Sequence, residues 1–188
     1  LGENYPQLKS YIYNVDFLKL KLDTIYSEMH VVGNFPYNIS SQIMFKVLEN
    51  KEIVPTVIGM FQKEVAQRIC SKPNSKNYGI LSVLLQAFYH AEYLFDVPRE
   101  SFNPPPKVVS GVLMLKRKGS LNLDCDPKFM KQVVKMAFNQ RRKTLRNSLK
   151  QLILNDEVKA LEIFNKRPEA LDVDAFINLT NILDTNRG

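Results

Sequence analysis

Val31-Val32-Gly33-Asn34-Phe35-Pro36-Tyr37-Asn38-Ile39-Ser40 runs from a β-branched apolar pair into an amide, a proline, a tyrosine and a serine that suits a helix N-cap. Val31 and Val32 lead a buried strand predicted over Met29 to Gly33. After Ser40 and Ser41, the apolar residues Ile43, Met44, Val47 and Leu48 recur at helical spacing. Asn34 to Asn38 is therefore a strand-to-helix loop, and in open α/β sheets ligands bind outside the carboxyl ends of strands.

The flanking sequence supports that sheet. Upstream, Tyr11 to Val15 is a short β-prone run closed by Asp16. Downstream, Pro55 ends the first helix and Val57 to Phe61 is a continuous apolar run, as expected of a strand covered on both faces. Gln62 to Cys70 reads as a helix, Ser71 to Asn77 as a loop, and Ile80 to Leu85 as a buried helix. Strands alternating with helices argue for an α/β domain. Ala91 to Val97 and Val108 to Lys116 then follow without a helix between them, which predicts an antiparallel pair.

From Asp126 onward the pattern is helical. Asp126-Pro127 marks an N-terminus, and Phe129, Val133, Met136 and Ala137 share a face. Leu145, Leu149, Leu152 and Ile153 form a second face, and Ala175, Phe176, Leu179, Ile182 and Leu183 a third after Asp172. A boundary near Gly119 to Asp126 divides the chain into residues 1–120, α/β, and residues 121–188, helical.

The 188 residues, 45% of them hydrophobic, suffice for a real core. Lys and Arg number 26 against 19 acidic residues, a net +7 with a pI near 9.3. That excess points to a polyanion, nucleic acid ahead of an anionic membrane surface. Cys70 and Cys125 show no metal-ligand spacing and read as reduced thiols of a cytoplasmic protein, while His30 and His90 add no zinc motif. No metal is expected. No apolar run reaches the roughly 20 residues of a bilayer span. Leu1-Gly2-Glu3-Asn4-Tyr5 reads like the interior of a longer chain.

The loop suggests a specific chemistry. An amino group has two donors, and the Asn34 side-chain carbonyl together with the Phe35 backbone carbonyl, fixed by Pro36, supplies two acceptors. That pairing suits the N6 amine of adenine, whose lone pair is delocalised into the ring. Accepting its hydrogens draws the nitrogen toward tetrahedral geometry without a strong base. Tyr37 then offers a stacking surface for a base taken out of its helix. The competing reading is a plain turn, in which Asn and Pro are common.

Asn34-Phe35-Pro36-Tyr37 resembles the N/D-P-P-Y motif of amino-methylating, S-adenosylmethionine-dependent methyltransferases. Asn34 to Ser40 is similar to the N-L-P-Y-N-I-S of rRNA adenine dimethyltransferases. Gln62 to Arg68 (QKEVAQR), Tyr78 to Val83 (YGILSV), Phe102 to Val108 (FNPPPKV) and Phe138 to Leu149 (FNQRRKTLRNSL) resemble, in order and spacing, successive motifs of the KsgA family. The resemblance covers nearly the whole chain. It implies a Rossmann-like methyltransferase sheet, mixed and with an antiparallel last hairpin, plus a small C-terminal all-helical domain. The implied reaction is dimethylation of N6 of two adjacent adenosines in the 3′-terminal hairpin loop of 16S rRNA, on the small ribosomal subunit and late in its assembly.

By that resemblance Asn34 polarises N6 and touches the methyl donor, Phe35 offers its carbonyl, Pro36 fixes it, and Tyr37 stacks on the base. Phe102 covers the base's other face. Asp16, with Phe17 beside it, is similar to the acidic residue that accepts a hydrogen bond from the donor's adenine amine. Arg141, Arg142, Lys143 and Arg146 lie in a stretch with no acidic residue between Asp126 and Asp156, and they are expected to dock on RNA phosphates. Plainer readings stand beside these: a cap for Asp16, loop packing for Phe102, a solvated face for the basic residues, a helical Glu64–Arg68 pair, and structural roles for both histidines.

The chain also departs from the family pattern. Family members bind the donor through a glycine-rich loop after the first strand and an acidic residue ending the second, and neither is present. The closest two glycines, Gly111 and Gly119, are eight positions apart. In the family strand order 3-2-1-4-5-7-6, Tyr11 to Val15 corresponds to the third strand and Met29 to Gly33 to the fourth. The expectation is a chain that lacks the first two strands, is inactive alone, and leaves an apolar edge on Met29 to Gly33 with its N-terminal segment unpaired. Two rival functions remain open, a 23S rRNA adenine methyltransferase of the macrolide-resistance type and a non-catalytic RNA-binding assembly factor. The complete protein is expected to be a monomer with no membrane partner.

Overall fold

The computed structural model describes residues 4–153 and 155–186. Its centre is a four-stranded sheet of order β1-β2-β4-β3, with β1 at Val31–Asn34, β2 at Thr56–Gln62, β3 at Tyr89–Val97 and β4 at Ser110–Arg117. β1 runs parallel to β2, whereas β4 is antiparallel to both β2 and β3. The mixed sheet and antiparallel last hairpin agree with expectation, and the order reproduces the last four places of 3-2-1-4-5-7-6.

Burial explains why these runs became strands. Val57, Gly59 and Phe61 are buried while the intervening residues of β2 are half-buried, so both faces are covered. α1 (Ser40–Glu49) covers the sheet with Ile43, Met44 and Val47. α2 (Lys63–Cys70) and α3 (Ile80–Phe88) follow at the expected places, with Leu81, Val83, Leu84 and Leu85 of α3 buried.

Tyr11 to Val15 is not a strand. Pro6–Tyr11 forms a 3-10 segment with no buried residue, and Tyr11, Tyr13 and Val15 are 76%, 60% and 53% exposed. β-propensity expresses packing against neighbours on a pleated surface, and no described strand pairs with the outer edge of β1 to offer one. That edge is open, as expected, and Val32 on it is 72% exposed.

The helical part contains α4 (Pro127–Asn139), α5 (Leu145–Ser148), α6 (Asp156–Ala160) and α7 (Val173–Thr185). Asp126 caps α4 by accepting from Lys128 N, and Asp172 caps α7 by accepting from Ala175 N. The face expected over Leu145 to Ile153 is only partly helical. After Ser148 the chain turns, with Leu152 N donating to Leu149 O at 2.8 Å, and Leu145 and Leu149 are buried while Leu152 and Ile153 are half-buried. Residues 118–126 form no regular element, yet apolar side chains from both sides of them share one core, joined by the rings of Tyr78, Phe138 and Phe176. Among the described residues no helix is long and apolar enough to cross a membrane.

Gly59 shows how tight the packing is beside the loop. A Cβ there would lie 2.5 Å from the Phe35 ring and 2.6 Å from the Phe61 ring. Gly59→Ala is expected to lower stability by about 1–3 kcal/mol through overpacking, read as a fall in the denaturant midpoint at unchanged m-value.

Candidate active site and RNA-facing surface

The loop after β1 is held from below. Phe35 N donates to Met60 O at 3.2 Å, extending the pairing with β2 one residue past Asn34. The Phe35 ring rests against Gly33 and Gly59 and stacks on Phe61 at 5.0 Å between centroids. Two glycines on neighbouring strands thus make room for one aromatic ring, which anchors the loop to the sheet.

Pro36 leads into a one-turn 3-10 segment, Tyr37–Ile39, that continues directly into α1. Ser40 consequently stands inside the helix instead of at its N-cap. Its hydroxyl donates back toward the carbonyls of Pro36 and Tyr37, at 3.2 and 3.1 Å. The Asn34 side chain and the Phe35 carbonyl have no hydrogen-bond partner among the described residues. Both acceptors are free for a ligand.

Phe102 reaches the same place from the β3–β4 connection, where Arg99–Ser101 forms a turn and Phe102 N donates to Arg99 O. Asn34, Phe35, Pro36, Tyr37 and Phe102 line one open pocket of about 260 Å³ together with Pro104 and Pro106. The structure therefore brings the five expected residues together. Pro104 and Pro106 are additional wall residues, and their only signal in the sequence was membership of the FNPPPKV string.

Where the chain returns toward that loop, Lys63 Nζ pairs with Asp96, and Tyr93 OH also donates to Asp96. The Lys63 hydrogen bond, followed by that from Tyr93, holds the Asp96 carboxyl below its ordinary range. This ties the end of β3 to the start of α2, next to the Phe102 loop.

Asp16 and Phe17 stand apart from the pocket lining. Asp16 Oδ1 accepts from Leu18 N at 2.9 Å, so the residue caps the short 3-10 segment Phe17–Lys19, and its Oδ2 lies 3.9 Å from Lys19 Nζ. Lys46 of α1 donates to the carbonyls of Leu18 and Leu20 and fixes that segment against the helix. Asp16 keeps acceptor capacity for an amine, but the described residues include no glycine turn to let backbone approach a donor. The residues present fit the methyl-accepting half of a site and do not build a complete donor site.

The basic residues divide. Arg141 donates to Ser75 O at 3.0 Å and lines a groove of about 440 Å³ with Arg68, Lys76 and Tyr78. Arg142 and Lys143 are exposed in the turn after α4. Arg146 lines a smaller pocket with Lys150 and Lys159. Glu64 and Arg68 form the helical pair, at 2.9 Å. Burial, reinforced by Glu92, pushes the Cys70 thiol up to about 11, and burial also raises that of Cys125, so neither is a ready nucleophile. Among the described residues no group of three or more His, Cys, Asp and Glu side chains is arranged to hold a metal ion.

Comparison with known proteins covers almost the whole chain. The sequence model of the ribosomal RNA adenine dimethylase family matches residues 3–185. The chain is 55% identical over 188 residues to a Flavobacterium johnsoniae protein named ribosomal RNA small subunit methyltransferase A, spanning 99% of this chain and 72% of that protein. A Bacteroides thetaiotaomicron protein of the same name is 55% identical over 184 residues, spanning 96% and 69%. The crystal structure of a dimethyladenosine transferase from Plasmodium falciparum superposes with a TM-score of 0.77 at 26% identity, over 99% of this chain and 78% of that one. The 23S rRNA methyltransferase ErmE superposes with a TM-score of 0.63 at 23% identity, over 97% and 77%, a likeness of fold.

Proposed function

The chain belongs to the ribosomal RNA adenine dimethylase family, and on that premise we propose that it carries the target-adenine site and the RNA-docking surface of a small-subunit rRNA adenine N6-dimethyltransferase. The observation that carries this reading is a single pocket lined by Asn34 and Phe35, each with an unpartnered acceptor, together with the aromatic residues Tyr37 and Phe102. The substrate is 16S rRNA in the small ribosomal subunit, with two adjacent adenosines of the 3′-terminal hairpin loop each modified twice. The protein acts where subunits assemble, in the cytoplasm, as a monomer and without a membrane partner.

A flipped adenine enters between Tyr37 and Phe102, leaving its N6 edge toward the loop. The Asn34 Oδ1 and the Phe35 carbonyl each accept one N6–H. Both bonds strengthen as nitrogen gives up conjugation with the ring and its lone pair localises, so they favour the transition state over the ground state. S-adenosylmethionine supplies an electrophilic methyl group when bound. The N6 lone pair would form the new N–C bond as the methyl–sulfur bond of the donor breaks and leaves a neutral thioether, and the resulting cationic nitrogen would then lose a proton to solvent. No general base is required, because that proton becomes acidic once the bond has formed.

Residues 121–188 serve as the docking part, with Arg142 and Lys143 on RNA phosphates, Arg141 tied to Ser75 O beside them, and Arg146 adding charge from a separate pocket. Phosphate contacts of this kind position the complex and leave selection to the pocket.

The test is transfer of labelled methyl from S-adenosylmethionine to small subunits that lack the modification, by this chain joined at its N-terminus to the family's glycine-rich donor segment, with the chain alone, modified small subunits and unmodified large subunits as controls. Label on unmodified small subunits alone is the expected result. Label on large subunits instead would move the assignment to 23S rRNA. Hairpin binding with no transfer to any substrate by the joined chain would favour the assembly-factor reading.

A further inference from the structure

Tyr37 OH and Ser110 Oγ share a hydrogen bond of 2.5 Å across 73 positions of sequence. Ser110 is fully buried at the first position of β4, opposite Gln62 of β2 and Val97 of β3. A residue on a strand paired on both sides has little freedom to move. Tyr37, by contrast, is half-buried in a single 3-10 turn, and its ring orientation depends on what holds the hydroxyl at its far end. Ser110 also closes the connection that carries Phe102. That connection is fixed just before it, where Lys63 N donates to Val109 O at 3.0 Å.

We propose that Ser110 is a positioning residue for base capture: it fastens the Tyr37 ring to the strand on which the Phe102 loop ends, so one hydrogen bond sets the gap between the two stacking walls. This rests on the reading of the pocket as the target-adenine site. A base held on both faces needs a gap of roughly 7 Å between ring planes, twice the ~3.5 Å van der Waals separation, and a tilted or swung ring forfeits that attraction steeply. The plainer alternative is a buried serine whose hydroxyl has simply found a partner, with no bearing on the base.

The two accounts separate in a double-mutant cycle read on base capture, which needs no methyl donor. The probe is the 3′-terminal hairpin RNA with 2-aminopurine directly beside the two adjacent adenosines, which keep their N6 amines. Its fluorescence reports unstacking and capture, and anisotropy of an end-labelled hairpin reports docking separately. Ser110→Ala and Tyr37→Phe are each expected to reduce the fluorescence response by roughly threefold to tenfold, the size of one net hydrogen bond, with docking unchanged. The double variant is expected to be no worse than the poorer single variant, because both substitutions remove the same bond. Additive losses, or a full response from Ser110→Ala, would overturn the proposal. Should Ser110→Ala fail to fold, Tyr37→Phe removes the bond from its half-buried partner, and a full response from it is equally decisive. A chain that docks the hairpin but gives no 2-aminopurine response at all overturns the target-adenine reading, and this inference with it.

Discussion

Asn34→Ala, made in the chain joined to the family's glycine-rich donor segment, is expected to lower methyl transfer to N6 by roughly a hundredfold to a thousandfold, the loss seen when one preorganised partner of a developing charge is removed. The residue ends β1, its backbone is paired with Met60, and its side chain is exposed at the pocket. Truncation therefore deletes an acceptor without opening a core cavity, and melting is expected to stay within about 0.5 kcal/mol of the parent. The partition between kinetic constants is diagnostic. An acceptor that tightens as N6 becomes tetrahedral acts on the transition state, so kcat falls and KM changes little. A variant that raises KM with kcat intact would show that Asn34 only holds the base, and the account of N6 activation would be wrong.

The double replacement Arg142→Ala/Lys143→Ala is expected to weaken hairpin RNA binding by about tenfold to a hundredfold near 0.1 M salt and to reduce the slope of log K against log salt by about 1.4–1.8, or 0.7–0.9 for each phosphate no longer neutralised. Both side chains are exposed in the turn after α4. Arg141 is expected to behave differently. It already donates to Ser75 O, tying the loop before α3 to the end of α4, so Arg141→Ala should cost folding stability, about 1–2 kcal/mol, with a smaller change in slope. Titrations at four salt concentrations distinguish these cases. An unchanged slope in the double variant would exclude Arg142 and Lys143 as phosphate ligands.

The contrast among these arginines shows what a linear sequence conceals. FNQRRKTLRN reads as a run of equivalent positive charges, and net charge together with the family resemblance assigned them all to RNA. Packing separates them: one guanidinium is bound to a carbonyl 66 positions away, two neighbouring residues face solvent, and Arg146 lies in another pocket. Asp16 makes the same point, since the acidic residue matched to the donor's amine caps its own short segment in the structure. Tyr11 to Val15 fails as a strand for a related reason, because β-propensity is realised only beside a partner strand.

The sequence by itself determined the strand-loop-helix around Asn34, the antiparallel last hairpin, the cap at Asp126 and the helical face after Asp172. Each depends on residues close together in the chain: β-branched runs, helical periodicity, and acceptors placed just before a helix. Only the tertiary structure decided that Pro104 and Pro106 line the same pocket as Tyr37 and Phe102, that Gly33 and Gly59 jointly seat Phe35, and that Ser110 holds the Tyr37 hydroxyl. Those relations depend on strand order and register, which arise when distant segments bury apolar surface together. No local pattern encodes them, because the free energy that selects them exists only once the sheet has formed.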